Sequence, residues 1–162
     1  MKIKSIILSA GVFLAFIAPA FCQDEVAAIK AAIEKETFSF QNVDRKTWED
    51  TWLKTAYAYW SYSDSTGTSF VKGWDAINKS FDNYFKTQVA SRQIDVARKG
   101  LSIERSWGEI RVYKNGAYVQ YIQKVKDHLI ERDETSQIRF LEKVDGKWKI
   151  IYVGIIAKYP TE

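Results

Sequence analysis

Two alternating segments, Ser136 to Val144 and Lys147 to Ile156, are joined only by Asp145-Gly146. Asp-Gly supplies the positive-φ residues that a two-residue hairpin turn requires, so the pair predicts two strands and also their register. With Val144 facing Lys147, Leu141 falls opposite Ile150, Arg139 opposite Tyr152 and Gln137 opposite Gly154, all on one face. Ile138, Phe140, Ile151, Val153 and Ile155 take the other. A solvated face would read polar, so apolar residues on both sides predict a sheet covered on both.

Upstream, Leu101 to Tyr113 and Ala117 to Val125 alternate in the same way around Asn115-Gly116. That turn predicts Val112 opposite Val119 and Ile110 opposite Tyr121, and the alternation brings Gln123 onto the same face. The first half of the chain has a different period. Val26, Ile29, Ile33, Thr37 and Phe40 recur at three- and four-residue spacing, which predicts an amphipathic helix over 24–40. Asp44 can cap a second helix carrying Trp48, Trp52 and Leu53. The stretch Tyr57 to Tyr62 reads as a short strand ending in a Ser/Thr/Gly loop, and Trp74, Ile77, Phe81 and Phe85 predict a third helix. Helices followed by a run of strands indicate an α+β domain with helices on one face of an antiparallel sheet.

The N-terminus carries Lys2 and Lys4, an apolar run from Ile6 to Ile17 and a switch to Gln23-Asp24. This is the pattern of a signal peptide over 1–22 followed by a single domain over 23–162, and the run is too short for a membrane span. The expected location is therefore periplasmic or secreted. Lipid attachment at Cys22 would want a small residue before it, and Phe21 is bulky. Removal of 1–22 takes away Lys2 and Lys4 but no acid, so the net charge falls from +4 to +2. Near balance gives no electrostatic case for nucleic acid.

The same cut removes Met1 and Cys22, the chain's only methionine and cysteine. Disulfides, thiolate nucleophiles and sulfur-ligated metals are thereby excluded from the mature domain. With a single histidine, His128, and no acidic cluster of calcium-loop spacing, no metal site and no cofactor is expected.

Three stretches, Phe38 to Asp44 (FSFQNVD), Val71 to Ile77 (VKGWDAI) and Ile138 to Ile150 (IRFLEKVDGKWKI), together with the element order, resemble the NTF2-like superfamily. The similarity is greatest to its SnoaL-like members and to the association domain of calcium/calmodulin-dependent kinases. The resemblance implies a cone: a curled antiparallel sheet wrapped around three N-terminal helices, one face lining a cavity and the outer face often pairing subunits into a homodimer. In the kinase domain an arginine matching Arg139 points into the pocket, but its second pocket arginine falls on Gln123 here. Many SnoaL-like proteins have histidines at the positions of Tyr152 and Gly154, so acid–base chemistry through those histidines does not carry over.

On this reading the candidate ligand-binding residues are Arg139, Tyr152, Tyr121, Gln123, Trp60, Tyr62 and Trp52. Against it stands a plainer account, in which Arg139 is satisfied by an internal ion pair and the aromatics are core. Glu104 has the parity to enter the cavity if its strand is regular, while a bulge near Gly108 would turn it outward. Glu104 and Tyr152 are the weak catalytic candidates. His128 falls in a charged hairpin tip, and no spacing suggests a catalytic triad. The expected function is binding of a small apolar molecule with a polar or anionic group at Arg139. The alternatives are a SnoaL-like or steroid-isomerase-like enzyme acting on a carbonyl-bearing molecule, and a homo-oligomeric interaction domain.

Overall fold

The computed structural model describes residues 18–90, 102–126 and 134–157. His128 and residues 1–17 lie outside them, and the expected cleavage point after Cys22 falls within the first turns of α1. Among the described residues no helix is long and apolar enough to cross a membrane.

Helix α1 (Ala18–Gln41) buries Ile29 and Ile33 completely, as its spacing predicts. Its last turns hold their own carbonyls: the Thr37 hydroxyl donates to Ile33 O and the Ser39 hydroxyl to Glu36 O. The chain reverses through Val43, at φ 57, and Asp44 then caps α2 (Arg45–Thr51) by accepting from Thr47 N–H. That cap removes one of the orphan donors of the first turn.

The Ser/Thr/Gly stretch is a strand rather than a loop. β1 (Tyr59–Asp64) and β2 (Gly67–Lys72) form a hairpin. The expected third helix is two, α3 (Trp74–Ser80) and α4 (Asp82–Ala90), interrupted at Phe81. Ser80 donates its hydroxyl to Ile77 O, a back-bond that bends a helix. Arg45 reaches from α2 to Asn78 and Asp82 on either side of the break.

β3 (Ser102–Val112), β4 (Gly116–Lys126), β5 (Thr135–Val144) and β6 (Lys147–Ala157) complete a six-stranded sheet of order β2-β1-β6-β5-β4-β3. The sheet is mixed, because β1 runs parallel to β6. Most of the chain lies between those two strands, so no tight turn forces them antiparallel. The helices lie on one face, and the architecture is the expected α+β cone with an open sheet.

Asp145 and Gly146 take φ 50 and 74, and Val144 faces Lys147, so the turn holds as expected. The register holds as far as Leu141 opposite Ile150 and then shifts. Phe140 pairs with Tyr152 and Arg139 with Val153, leaving Ile151 as the extra residue of a bulge. One inserted residue reverses every later side chain. Val153 and Ile155 therefore face the helices, and Tyr152 lies outside. There its ring covers Gly154, where a Cβ would come 2.6 Å from the Tyr152 hydroxyl.

At the other hairpin the turn residues are Lys114-Asn115, closed by Tyr113 N–H donating to Gly116 O. The pairing slides by two residues, Val112 to Ala117 and Ile110 to Val119, so the faces are unchanged. Between Trp107 and Ile110 a second bulge sets Gly108 and Glu109 against Gln120 alone. A Cβ on Gly108 would stand 2.9 Å from Gln120 O, which suits glycine to that position. Ile103, Arg105 and Trp107 consequently point toward the helices, and Glu104 is exposed.

Candidate functional site

Between the helices and the inner sheet face lies a cavity of about 110 Å³. α1 supplies Glu36, Thr37, Phe40 and Gln41, and α2 supplies Trp48, with Trp52 just beyond its end. β1 adds Trp60, and Phe81 comes from the break between α3 and α4. The sheet contributes Gln123, Gln137, Arg139, Val153 and Ile155. Burial gives the cavity a direction. Glu36, Gln123, Gln137 and Arg139 are buried, whereas Phe40, Gln41, Trp60, Phe81 and Ile155 are half-buried and form the mouth.

The aromatic wall is a packed cluster centred on Trp48. Its ring centroid lies 5.2 to 6.1 Å from those of Phe40, Trp52, Trp74, Phe81 and Phe85. Mostly tilted and edge-on contacts of this kind stabilise by about 0.5–1.5 kcal/mol each beyond the area they bury.

Arg139, 3% exposed, is the centre of the polar end. Its Nη1 donates to Gln137 Oε1 at 2.9 Å and to Ile138 O at 3.2 Å, and Gln137 is fixed in turn by donating to Thr135 Oγ1. Nη2 stands 3.7 Å from Glu36 Oε2, which is ion-pair distance but too long for a hydrogen bond. Nε has no partner. Glu36 also accepts from Trp48 Nε1 at 3.2 Å and shares the Thr37 hydroxyl, also at 3.2 Å, with Ile33 O. The internal ion pair anticipated for Arg139 thus exists but leaves one buried donor over. On the same lining the Gln123 Oε1 acceptor is unpartnered as well.

Of the residues singled out from sequence, Arg139, Gln123, Trp52 and Trp60 meet at this cavity. Tyr121 is fully buried beside it, its ring 5.6 Å from the Arg139 guanidinium carbon and 5.8 Å from that of Arg105. Burial pushes the Tyr121 phenol up. The Arg139 guanidinium and, less, that of Arg105 oppose this by favouring the ionised form, yet no well-formed hydrogen bond satisfies the hydroxyl. Tyr62 stacks on Trp60 at 6.5 Å and lies along a shallow groove at the β1–β2 tip. Tyr152 and Glu104 do not face the cavity, because the two bulges turn them away.

Glu36 and Arg105 were missed. Glu36 is three residues after Ile33 and seven after Ile29, which places it on the buried stripe of α1. Arg105 alternates with Ile103 and Trp107. Among the described residues no group of three or more His, Cys, Asp or Glu is placed to hold a metal ion.

No protein-family model matches the sequence, and no curated protein does either. Solved structures do match. An NTF2-like protein with a cystatin-like fold from Novosphingobium aromaticivorans superposes with a TM-score of 0.63 at 11% identity, over 89% of this chain and 88% of its own. A second protein of that organism, provisionally described as a scytalone dehydratase, gives 0.62 at 17% identity over 87% and 89%. A Thiobacillus denitrificans protein, provisionally described as a calcium/calmodulin-dependent protein kinase type II association domain, gives 0.60 at 9% over 80% and 94%. The chain therefore has the NTF2-like, cystatin-like fold.

Proposed function

We propose that this protein is exported and binds a small, largely apolar molecule in the cavity, with a polar group of that molecule at Arg139. The observation that carries the reading is the unpartnered Arg139 Nε, buried at the polar end of an otherwise aromatic cavity. A buried donor left without an acceptor costs about 1–3 kcal/mol, which a ligand acceptor recovers. Size narrows the choice. Engineered cavities near 150 Å³ hold benzene, so only a compact head enters this one, with the rest of the ligand among Phe40, Trp60 and Phe81. Export rests on the 1–22 segment. The test is a thermal-shift screen of small aromatic and alicyclic carbonyl compounds against the parent and Arg139→Ala. Stabilisation of the parent that disappears in the variant supports the reading, and identical profiles overturn it.

Turnover is the weaker reading. Glu36, the carboxylate at the cavity, is already engaged by the Trp48 indole, which donates to it, and by the Arg139 guanidinium 3.7 Å away. A second reading has its own observation: Phe70, Tyr59, Tyr152, Phe140 and Tyr118 contact one another in turn across five strands of the outer face. Such a face suits a homodimer.

A further inference from the structure

The charges around the cavity say more about the ligand than its size does, and the inference rests on the cavity being the binding site. Glu36 and Arg139 carry the formal charges that line it, and they cancel. Arg105, the next guanidinium, is held against Trp107 and Tyr121 and does not line the cavity. A carboxylate is best received by two parallel N–H groups of one guanidinium. On Arg139 that fork is incomplete: Nη1 is committed to Gln137 and Ile138, Nη2 faces the Glu36 carboxylate, and Nε alone is unengaged. An incoming carboxylate at Nε would lie beside Glu36, two like charges in a buried place.

What the lining residues leave unpartnered is two donors, Arg139 Nε and the Trp52 indole Nε1, and one acceptor, Gln123 Oε1. We infer that the cavity selects an uncharged head group that both accepts and donates, a carboxamide or a hydroxy-carbonyl, and that Glu36 is the residue that rejects acids. The carbonyl oxygen accepts from Arg139 Nε, and the amide N–H or hydroxyl donates toward Gln123. Glu36 thereby has a specificity role without touching the ligand: it neutralises the guanidinium that the ligand uses.

The experiment uses isothermal titration, with ligand-observed NMR for the weak cases, at neutral pH. The probes are benzamide, benzoate and phenylalanine, with isobutyramide and isobutyrate as a smaller pair. Expected for the parent is binding of the amide of either pair at least about tenfold tighter than its acid, since like-charge juxtaposition is strongly unfavourable. In Glu36→Gln, benzoate should gain by at least about tenfold, as the guanidinium is no longer neutralised. Tighter binding of benzoate, isobutyrate or zwitterionic phenylalanine to the parent overturns the inference and leaves the cavity reading standing. Binding of none of the probes to the parent overturns both. Should Glu36→Gln fail to fold by circular dichroism, the ranking in the parent decides alone.

Discussion

Glu36 and Arg139 stand 3.7 Å apart at the polar end of the cavity, their side chains only 8% and 3% exposed. Removing one partner of such a pair leaves the other charge buried, and that costs about 3–5 kcal/mol. Without Arg139, Glu36 keeps the Trp48 indole and a share of the Thr37 hydroxyl; without Glu36, Arg139 keeps Gln137 and a backbone carbonyl. Glu36→Leu and Arg139→Leu should therefore each destabilise, and the double variant should recover part of the loss. Urea titration of the four proteins measures this. Additive losses would show that the pair is not coupled.

How far this site was legible in the sequence depended on whether a strand stayed regular. Asp145-Gly146 fixed the pairing as far as Leu141 and Ile150, because a two-residue turn allows one register. Beyond it, residues Trp148 to Ile156 are apolar at both parities, so alternation could not reveal that Ile151 is inserted. Arg139 also lies beyond the bulge, but on the strand without the insertion, so it stays on the face of Leu141; Tyr152, Val153 and Ile155 follow the inserted residue and change face. The Gly108 bulge decided between Glu104 and Arg105 in the same way. Glu36 was hidden for a different reason: a buried carboxylate breaks the apolar stripe, and only the positions of its neighbours on α1 mark it.

The faces of Tyr152 and Trp60 can be told apart in solution. Tyr152 stacks with Tyr59 and meets Phe140 edge-on outside the sheet, while Trp60 lines the cavity. Tyr152→Ala should lower stability by about 1–2 kcal/mol, from lost cross-strand ring contacts, and leave ligand affinity unchanged. Trp60→Ala should weaken ligand binding severalfold. Calorimetry with the tightest compound from the screen checks both, and a loss of affinity in Tyr152→Ala would place that ring at the site after all.

Acid should loosen the seam between α1 and the β5–β6 hairpin. Glu25 receives hydrogen bonds from the Lys143 ammonium and the Trp148 indole, which hold its carboxyl below the usual carboxylate range. Lys86, then Arg45, do the same for Asp82 at the α2–α4 contact. A carboxyl whose folded pKa is depressed binds fewer protons folded than unfolded. Its contribution is present above the unfolded value and is lost as pH falls through the folded one. The melting temperature should therefore decline as pH drops from about 6 toward 3. Glu25→Gln should melt lower at neutral pH and show a shallower decline. Equal slopes for the two proteins would mean that the seam contributes nothing.

The outer face makes the last prediction. Phe140 is 41% exposed, Ile156 42% and Ile122 39%, and they sit beside Tyr118, Tyr152 and Ile138 on the side of the sheet away from the helices. Large apolar side chains gathered on one face, rather than scattered, mark a surface that is covered in use. A two-fold dimer would set the aromatic row against its own copy, since a self-complementary patch closes with two subunits. The parent should sediment as a dimer at micromolar concentration. Phe140→Lys places a charge in the middle of that contact, where burial without a partner is costly, and should yield a folded monomer with unchanged ligand binding. Analytical ultracentrifugation reads the state directly. A monomeric parent would remove the dimer reading, and a dimeric Phe140→Lys would move the contact to another surface.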